Sequence, residues 1–163
     1  MKVKFDLATG FVGTKVSSAT DFSCTNFDKI LIFYQDGTYK ATNIPEKQYF
    51  EHFIWTGVAD KKTILNVVYK DPKTAQVWVK RFIVEKFILD KTYRYLDEGL
   101  ELLFLTTDSG ASVEMQLSGA KKAKHKTIAL ADIAVKGAQT KGVRLGTEKV
   151  KKMTLQPGLK KKT

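Results

Sequence analysis

One pattern of residues, written three times, limits what this chain can fold into. Lys29-Ile30-Leu31-Ile32-Phe33-Tyr34 is apolar and rich in β-branched and aromatic side chains; it runs into Asp36-Gly37 and returns as Thr38-Tyr39-Lys40-Ala41-Thr42. Gly accepts the positive φ of a tight turn, so the segment reads as a β-hairpin. Residues 63–69 run into Asp71-Pro72 and return over 75–82. Residues 101–105 run into Asp108-Ser109-Gly110 and return over 112–117, where Val113, Met115 and Leu117 alternate with Ser112, Glu114 and Gln116. The turn aspartates stand at 36, 71 and 108, at intervals of 35 and 37 residues. A weaker fourth copy reads over 142–145, a turn near Thr147-Glu148, and 150–155. A unit this small cannot bury its own apolar face, so neighbours must pack on one another. The expectation is an all-β, propeller-like repeat of roughly three to four blades. Helix signals are thin: Pro45 could open a single turn over 45–50. The three prolines, Pro45, Pro72 and Pro157, fall between the expected strands, as sheets require. No Pro- or Ser-rich linker divides the chain. It reads as one folded domain, 1–156, with a disordered basic tail, 157–163.

Charge is distributed as unevenly as the strands are regular. The net charge is +11, and residues 111–163 carry 13 Lys/Arg against 3 Asp/Glu, whereas residues 1–60 carry 6 against 7. Such asymmetry points to a polyanionic partner, with nucleic acid first. Lys160-Lys161-Lys162 reads as a solvated tail, but Lys121, Lys122, Lys124, Lys126, Lys136, Lys141 and Arg144 lie among apolar residues. Several classes drop out. No apolar run approaches the ~20 residues of a membrane span, and no secretory leader opens the sequence. Cys24 is the single cysteine, which excludes an internal disulfide, and with only His52 and His125 beside it a metal site is not expected. The histidines have no Ser, Asp or Cys partner at a catalytic spacing, and no glycine run is followed by Lys-Ser/Thr to cradle phosphates. No cofactor, metal or catalytic centre is expected, and the compartment is a reducing cytoplasm.

The later residues resemble a known family. Asp132-Ile133-Ala134-Val135-Lys136-Gly137-Ala138-Gln139-Thr140-Lys141-Gly142-Val143-Arg144-Leu145 is similar to the blade motif in the C-terminal domains of gyrase and topoisomerase IV A subunits, where a basic, Gly-containing loop runs into Lys-Gly-Val. Residues 28–42 resemble that family's apolar strand, Asp-Gly and aromatic-basic strand. Val79-Lys80-Arg81-Phe82-Ile83-Val84-Glu85-Lys86-Phe87 resembles a segment of topoisomerase IV A subunits. The resemblance runs from Thr9 to Leu155. It implies a β-pinwheel, whose blades exchange strands, and a basic rim around which duplex DNA bends. It implies that the catalytic tyrosine lies in a preceding domain of an ATP-dependent type II topoisomerase. The partners would then be double-stranded DNA, the B (ATPase) subunit of the parent enzyme, and the remainder of its A subunit. The isolated domain would be a monomer, of nucleoid-associated, cytoplasmic origin and without contact to membranes. Complete family domains have five or six blades, so this chain reads as a shortened or excised version with an incomplete or open ring. The gyrase box Gln-Arg-Arg-Gly-Gly-Lys-Gly is reduced here to Lys136-Gly137-Ala138-Gln139-Thr140-Lys141-Gly142, which keeps only the closing Lys-Gly and favours a topoisomerase IV-like protein.

Wrapping needs cations along a curved surface and no base readout. The candidate contacts are Lys121, Lys122, Lys124, Lys126, Lys136, Lys141 and Arg144, followed by Lys80 and Arg81. Adjacent strand residues point to opposite faces, so only one of that last pair is expected to reach the rim. Lys149, Lys151 and Lys152 read as a solvated strand face. Trp55, Trp78, Phe33, Phe82, Phe87 and Phe104 read as core, with Trp78, beside Lys80, the one aromatic placed to stack on a base. Cys24 reads as a small buried hydrophobe. Two other classes fit the composition: a propeller-like protein-interaction domain and a small RNA-binding β-barrel.

Overall fold

A computed structural model describes residues 1–117, 124–145 and 150–158. In chain order the strands are β1 (Lys2–Asp6), β2 (Phe11–Gly13), β3 (Thr20–Ser23), β4 (Ile30–Tyr34), β5 (Thr38–Thr42) and β6 (Gln48–Tyr49). They continue as β7 (Phe53–Val58), β8 (Leu65–Asp71), β9 (Gln76–Phe82), β10 (Tyr93–Arg94) and β11 (Glu101–Thr106). Last come β12 (Ser112–Leu117), β13 (Lys124–Ala129), β14 (Val135–Lys136), β15 (Val143–Arg144) and β16 (Val150–Gln156), with a single 3₁₀ turn at Leu130–Asp132.

These strands form four small sheets built to one plan, none closed into a barrel. The orders are β3-β1-β2-β6, β7-β4-β5-β10, β11-β8-β9-β14 and β16-β12-β13. Each sheet is a hairpin, a third strand on the hairpin's first strand and, in the first three, a two-residue strand on its second. That short strand is always borrowed: β6 follows the second sheet's hairpin in the chain, β10 follows the third's and β14 the fourth's. Strand exchange of this kind makes the fold an open β-pinwheel. Among the described residues the fourth sheet has no borrowed strand.

The recurring aspartates work as the turn chemistry requires. Asp36 Oδ1 accepts the Thr38 N–H at 3.0 Å, Asp71 Oδ1 that of Lys73 at 2.9 Å, and Asp108 Oδ1 that of Gly110 at 3.0 Å. Each is an Asp side chain mimicking a backbone turn two residues on. Asp6 does the same with Ala8 at 2.9 Å and opens a further hairpin, β1–β2, which the repeat pattern in the sequence does not include. At Gly37 φ is +91° and a Cβ would lie 2.8 Å from the Leu96 carbonyl oxygen, so the Asp-Gly turn has no room for a side chain.

Three expectations are corrected. The third hairpin is not one: β11 pairs with β8, while β12 pairs with β13 and β16, so Asp108-Ser109-Gly110 passes the chain from the third sheet to the fourth. The fourth copy fails likewise, because β15 pairs with β9 and β16 with β12; Thr147 and Glu148 lie outside the described residues. The segment after Pro45 makes no helical turn, because Gln48–Tyr49 is extended along β2. Towards the end of the chain, the Gly158 N–H donates to Asp108 Oδ2 at 2.8 Å; residues 159–163 lie outside the described residues.

The chain divides into two compact units, Met1–Lys61 with Val84–Asp97, and Lys62–Ile83 with Glu98–Thr163. The first unit's core holds Val3, Val12, Ile30, Ile32, Phe50 and Phe53. Cys24 belongs to it as expected; burial pushes its thiol pKa up, although the N-terminal ammonium opposes the shift. Phe33 is fully buried in an aromatic group with Tyr39, Trp55 and Tyr95. The second unit's core packs Val68, Val77 and Val79 of the third sheet against Val113 and Met115 of the fourth. Phe82 is buried, whereas Trp55, Trp78, Phe87 and Phe104 are half-buried.

Burial gives the first unit a pH signature. It pushes the Tyr34 phenol up to about 12 and raises Tyr39 and Tyr95, with Asp36 adding to the effect on Tyr34 and Tyr95. In the unfolded chain these groups ionise near pH ~10. Above that pH the folded state therefore holds more protons than the unfolded one. Their contribution to stability is intact below about pH 10 and is lost as the pH climbs through 12. An alkaline absorbance titration should show these phenolates appearing late, together with unfolding; normal, non-cooperative titration of all six tyrosines would contradict it.

Candidate nucleic-acid interface

The basic excess follows the boundary between the units. The first carries 10 Lys/Arg and 10 Asp/Glu; the second carries 18 against 7, which is the whole of the net +11. Within the second unit the most defined basic element is the strap from Leu130 to Leu145. It runs parallel to β9 as β14, with Val135 opposite Arg81 and Lys136 opposite Phe82. It leaves the sheet at 137–142 and returns antiparallel as β15, with Val143 opposite Val79 and Arg144 opposite Trp78. Two short strands on one edge of β9 thus frame a loop. Thr140 N–H and Oγ1 both donate to the Gly137 carbonyl, at 3.1 and 2.7 Å. Gly142 closes the loop at φ +92°, where a Cβ would lie 2.6 Å from the Val79 oxygen. Lys136, Lys141 and Arg144 are exposed on this strap. Lys141 Nζ stands 4.8 Å over the Trp78 ring, which stacks on Tyr69, and the Tyr69 hydroxyl donates to the Lys141 carbonyl.

Lys80 and Arg81 are not surface groups, and the expectation that one of them reaches the rim is corrected. They are 5% and 6% exposed. They point to opposite faces of β9, as a strand demands, but the strap covers both. Lys80 Nζ donates to the carbonyls of Ala138 and Thr140 at 3.0 and 3.4 Å. Arg81 Nε donates to Asn66 Oδ1 at 2.7 Å, and its Nη1 to the carbonyls of Ile133 and Ala131 at 2.8 and 3.4 Å. Two consecutive cations in a strand must find partners once that strand is buried, but residue type alone did not show that it is.

The remaining candidates are dispersed. Lys126 is exposed; register places it with Met115 and Met153 on the core-facing side of the fourth sheet, where the edge position of β13 lets it reach solvent. The Lys124 side chain, with Lys121 and Lys122, is outside the described residues. The opposite side carries a row of His125, Gln116 and Lys152, with His125 and Lys152 exposed. Lys149 and the Lys151 side chain are also outside the described residues.

A family model, the topoisomerase C-terminal domain of Bacteroidota, matches residues 2–157. The chain belongs to that family. The A subunit of DNA topoisomerase 4 from Borreliella burgdorferi is 31% identical to this topoisomerase C-terminal domain over 109 residues, 63% of the chain and 17% of that protein. The chain therefore spans a small part of that relative's length. No solved structure matches it. The match supports a C-terminal domain of a topoisomerase A subunit. In this topoisomerase domain the box-like residues 136–142 form the loop on β9, flanked by β14 and β15.

Proposed function

We propose that this domain binds the backbone of duplex DNA without sequence preference, through the second unit, and bends the duplex there on behalf of a type II topoisomerase. The observation that carries the reading is the partition of charge: +11 on one compact unit and zero on the other. Lys136, Lys141 and Arg144 on the strap and Lys126 on β13 are candidate cations that stand clear of the core. Cations of this kind neutralise phosphates and release counterions, giving affinity that falls steeply with salt. Bending costs of order several kcal/mol over a few helical turns, which many such contacts together offset. The loop offers no acidic or amide side chain set for base edges beyond Gln139, in keeping with backbone contact.

The parent is read as an ATP-dependent enzyme of the bacterial cytoplasm, in which the B subunit, with the remainder of the A subunit, does the chemistry. The neutral first unit suits contact with protein rather than DNA: Phe27, 86% exposed on a turn closed by Asp28 Oδ2 and the Thr25 N–H, is the clearest apolar contact point there. The test is a titration of the domain into a duplex of about 40 base pairs and into a single strand of equal length, across a salt series. A duplex preference with a log–log slope of several phosphates supports the reading. No duplex binding at low salt would sink it, and a single-strand preference would move the assignment to RNA.

A further inference from the structure

We infer that Lys80 and Arg81 are positioning residues: from inside the second unit they hold the 134–144 loop in the shape that meets the duplex, without touching DNA themselves. This rests on the DNA-binding reading above. An irregular strap laid over a sheet edge turns main-chain carbonyls inward, and each needs a donor. Ala131 and Ile133 on the incoming limb, and Ala138 and Thr140 on the loop, present such oxygens to β9. Two adjacent residues of one strand answer them, because their side chains leave on opposite faces: Arg81 holds the incoming limb and Lys80 the loop. Both are charged donors, whose hydrogen bonds are stronger than neutral ones. Asn66, itself fully buried, orients the guanidinium through Oδ1 and donates Nδ2 to the Thr106 carbonyl at 3.0 Å. The Tyr69 hydroxyl on the Lys141 carbonyl and the close seat of Gly142 against Val79 fix the far end. Lys136, Lys141 and Arg144 thus stand on a loop pinned from beneath at both ends.

An apolar residue at 80 or 81 would fill the same space but leave those carbonyls without donors. Lys80→Met and Arg81→Met, made in the whole chain, should speed amide hydrogen exchange over 134–144 by about tenfold or more while β12 stays protected. Duplex affinity should fall by about tenfold, and the loss should not add to that of Lys141→Gln/Arg144→Gln, since both act through one loop. Lys80→Arg should restore much of it. A global destabilisation would not produce that coupling. Unchanged loop exchange, or strictly additive losses, overturns the proposal. Lysine acylation of the wild-type protein supplies a second measurement should the Met variants not fold. Lys80 should stay unreactive with and without DNA, while Lys136 and Lys141 react in the free protein and are shielded in the complex. Lys80 reactive in the free protein and shielded by DNA overturns the proposal. If the wild type binds no duplex, the functional reading fails alone, and exchange and acylation in the free protein still decide the clamp.

Discussion

Replacing Lys126, Lys136, Lys141 and Arg144 together by Gln is expected to lower duplex affinity about a thousandfold at 0.1 M salt. Each phosphate neutralised contributes about 0.9 to the log–log salt slope, so four lost contacts should make the slope shallower by about 3.6. All four side chains are exposed, so the loss should come without a comparable loss of stability. The control is a variant with the same change of charge on the first unit, for instance Lys2, Lys15, Lys61 and Lys86 to Gln, four exposed positions. Lys15 there has a solvent-exposed pair with Glu46 at 3.3 Å, which is worth little. If net charge alone drew the domain to DNA, the two variants would weaken binding equally. The charge partition expects the control to retain most of its affinity, and equal losses would refute a second-unit interface.

The strands were legible in the sequence because β-branched and aromatic runs ending in Asp-Gly or Asp-Pro leave few other readings. Of the expected segments 29–34, 38–42, 63–69, 75–82, 101–105 and 112–117, every residue but Lys29, Thr63, Ile64 and Ala75 falls on a strand. Pairing was legible only where a short turn joins neighbours, as at Asp36-Gly37. At Asp108 the local chemistry is the same, with the carboxylate accepting the Gly110 N–H, yet β11 and β12 belong to different sheets. A turn fixes the direction of the backbone over four residues; which sheet the next strand joins depends on distant partners. For the same reason the two-residue exchanged strands were invisible. Gln48–Tyr49, Tyr93–Arg94 and Val135–Lys136 are too short to show a period, and only their pairing makes them strands. Pro45 as a helix opener was overruled on these grounds.

The candidate interface divides in the same way. Composition found the basic third of the chain, and the motif from Asp132 to Leu145 found the strap. What neither supplied was depth. Lys80 and Arg81 have the chemistry of phosphate contacts and the position of core residues. Alternation along β9 correctly placed them on opposite faces, but it could not foresee that a segment about fifty residues later would lie over both. Residue type names the bonds a side chain can make; burial selects among them.

Phe33→Ala is expected to cost the first unit about 3–5 kcal/mol, the range for removing a fully buried aromatic ring. The ring is 0% exposed. It stacks on Tyr39 at 4.8 Å and 10°, meets Trp55 edge-on at 5.7 Å and lies 5.2 Å from Tyr95. Aromatic contacts of this kind add about 0.5–1.5 kcal/mol each beyond the area buried, which places the loss toward the upper end. The group cannot easily close the gap. Tyr95 is held by a 2.6 Å bond from its hydroxyl to the Tyr34 carbonyl, and Tyr39 is stacked on its other side by Tyr93 at 5.5 Å. A cavity that does not collapse costs more than one that does, since its lining loses contacts outright. Urea unfolding read by Trp55 emission in a Trp78→Phe background, which leaves one tryptophan, should register the loss beside Phe33 itself. Phe27→Ala, at 86% exposed, should stay within about 0.5 kcal/mol of the parent. A Phe33→Ala loss below about 0.5 kcal/mol would mean that this ring is not packed as described, because surface substitutions alone reach that size.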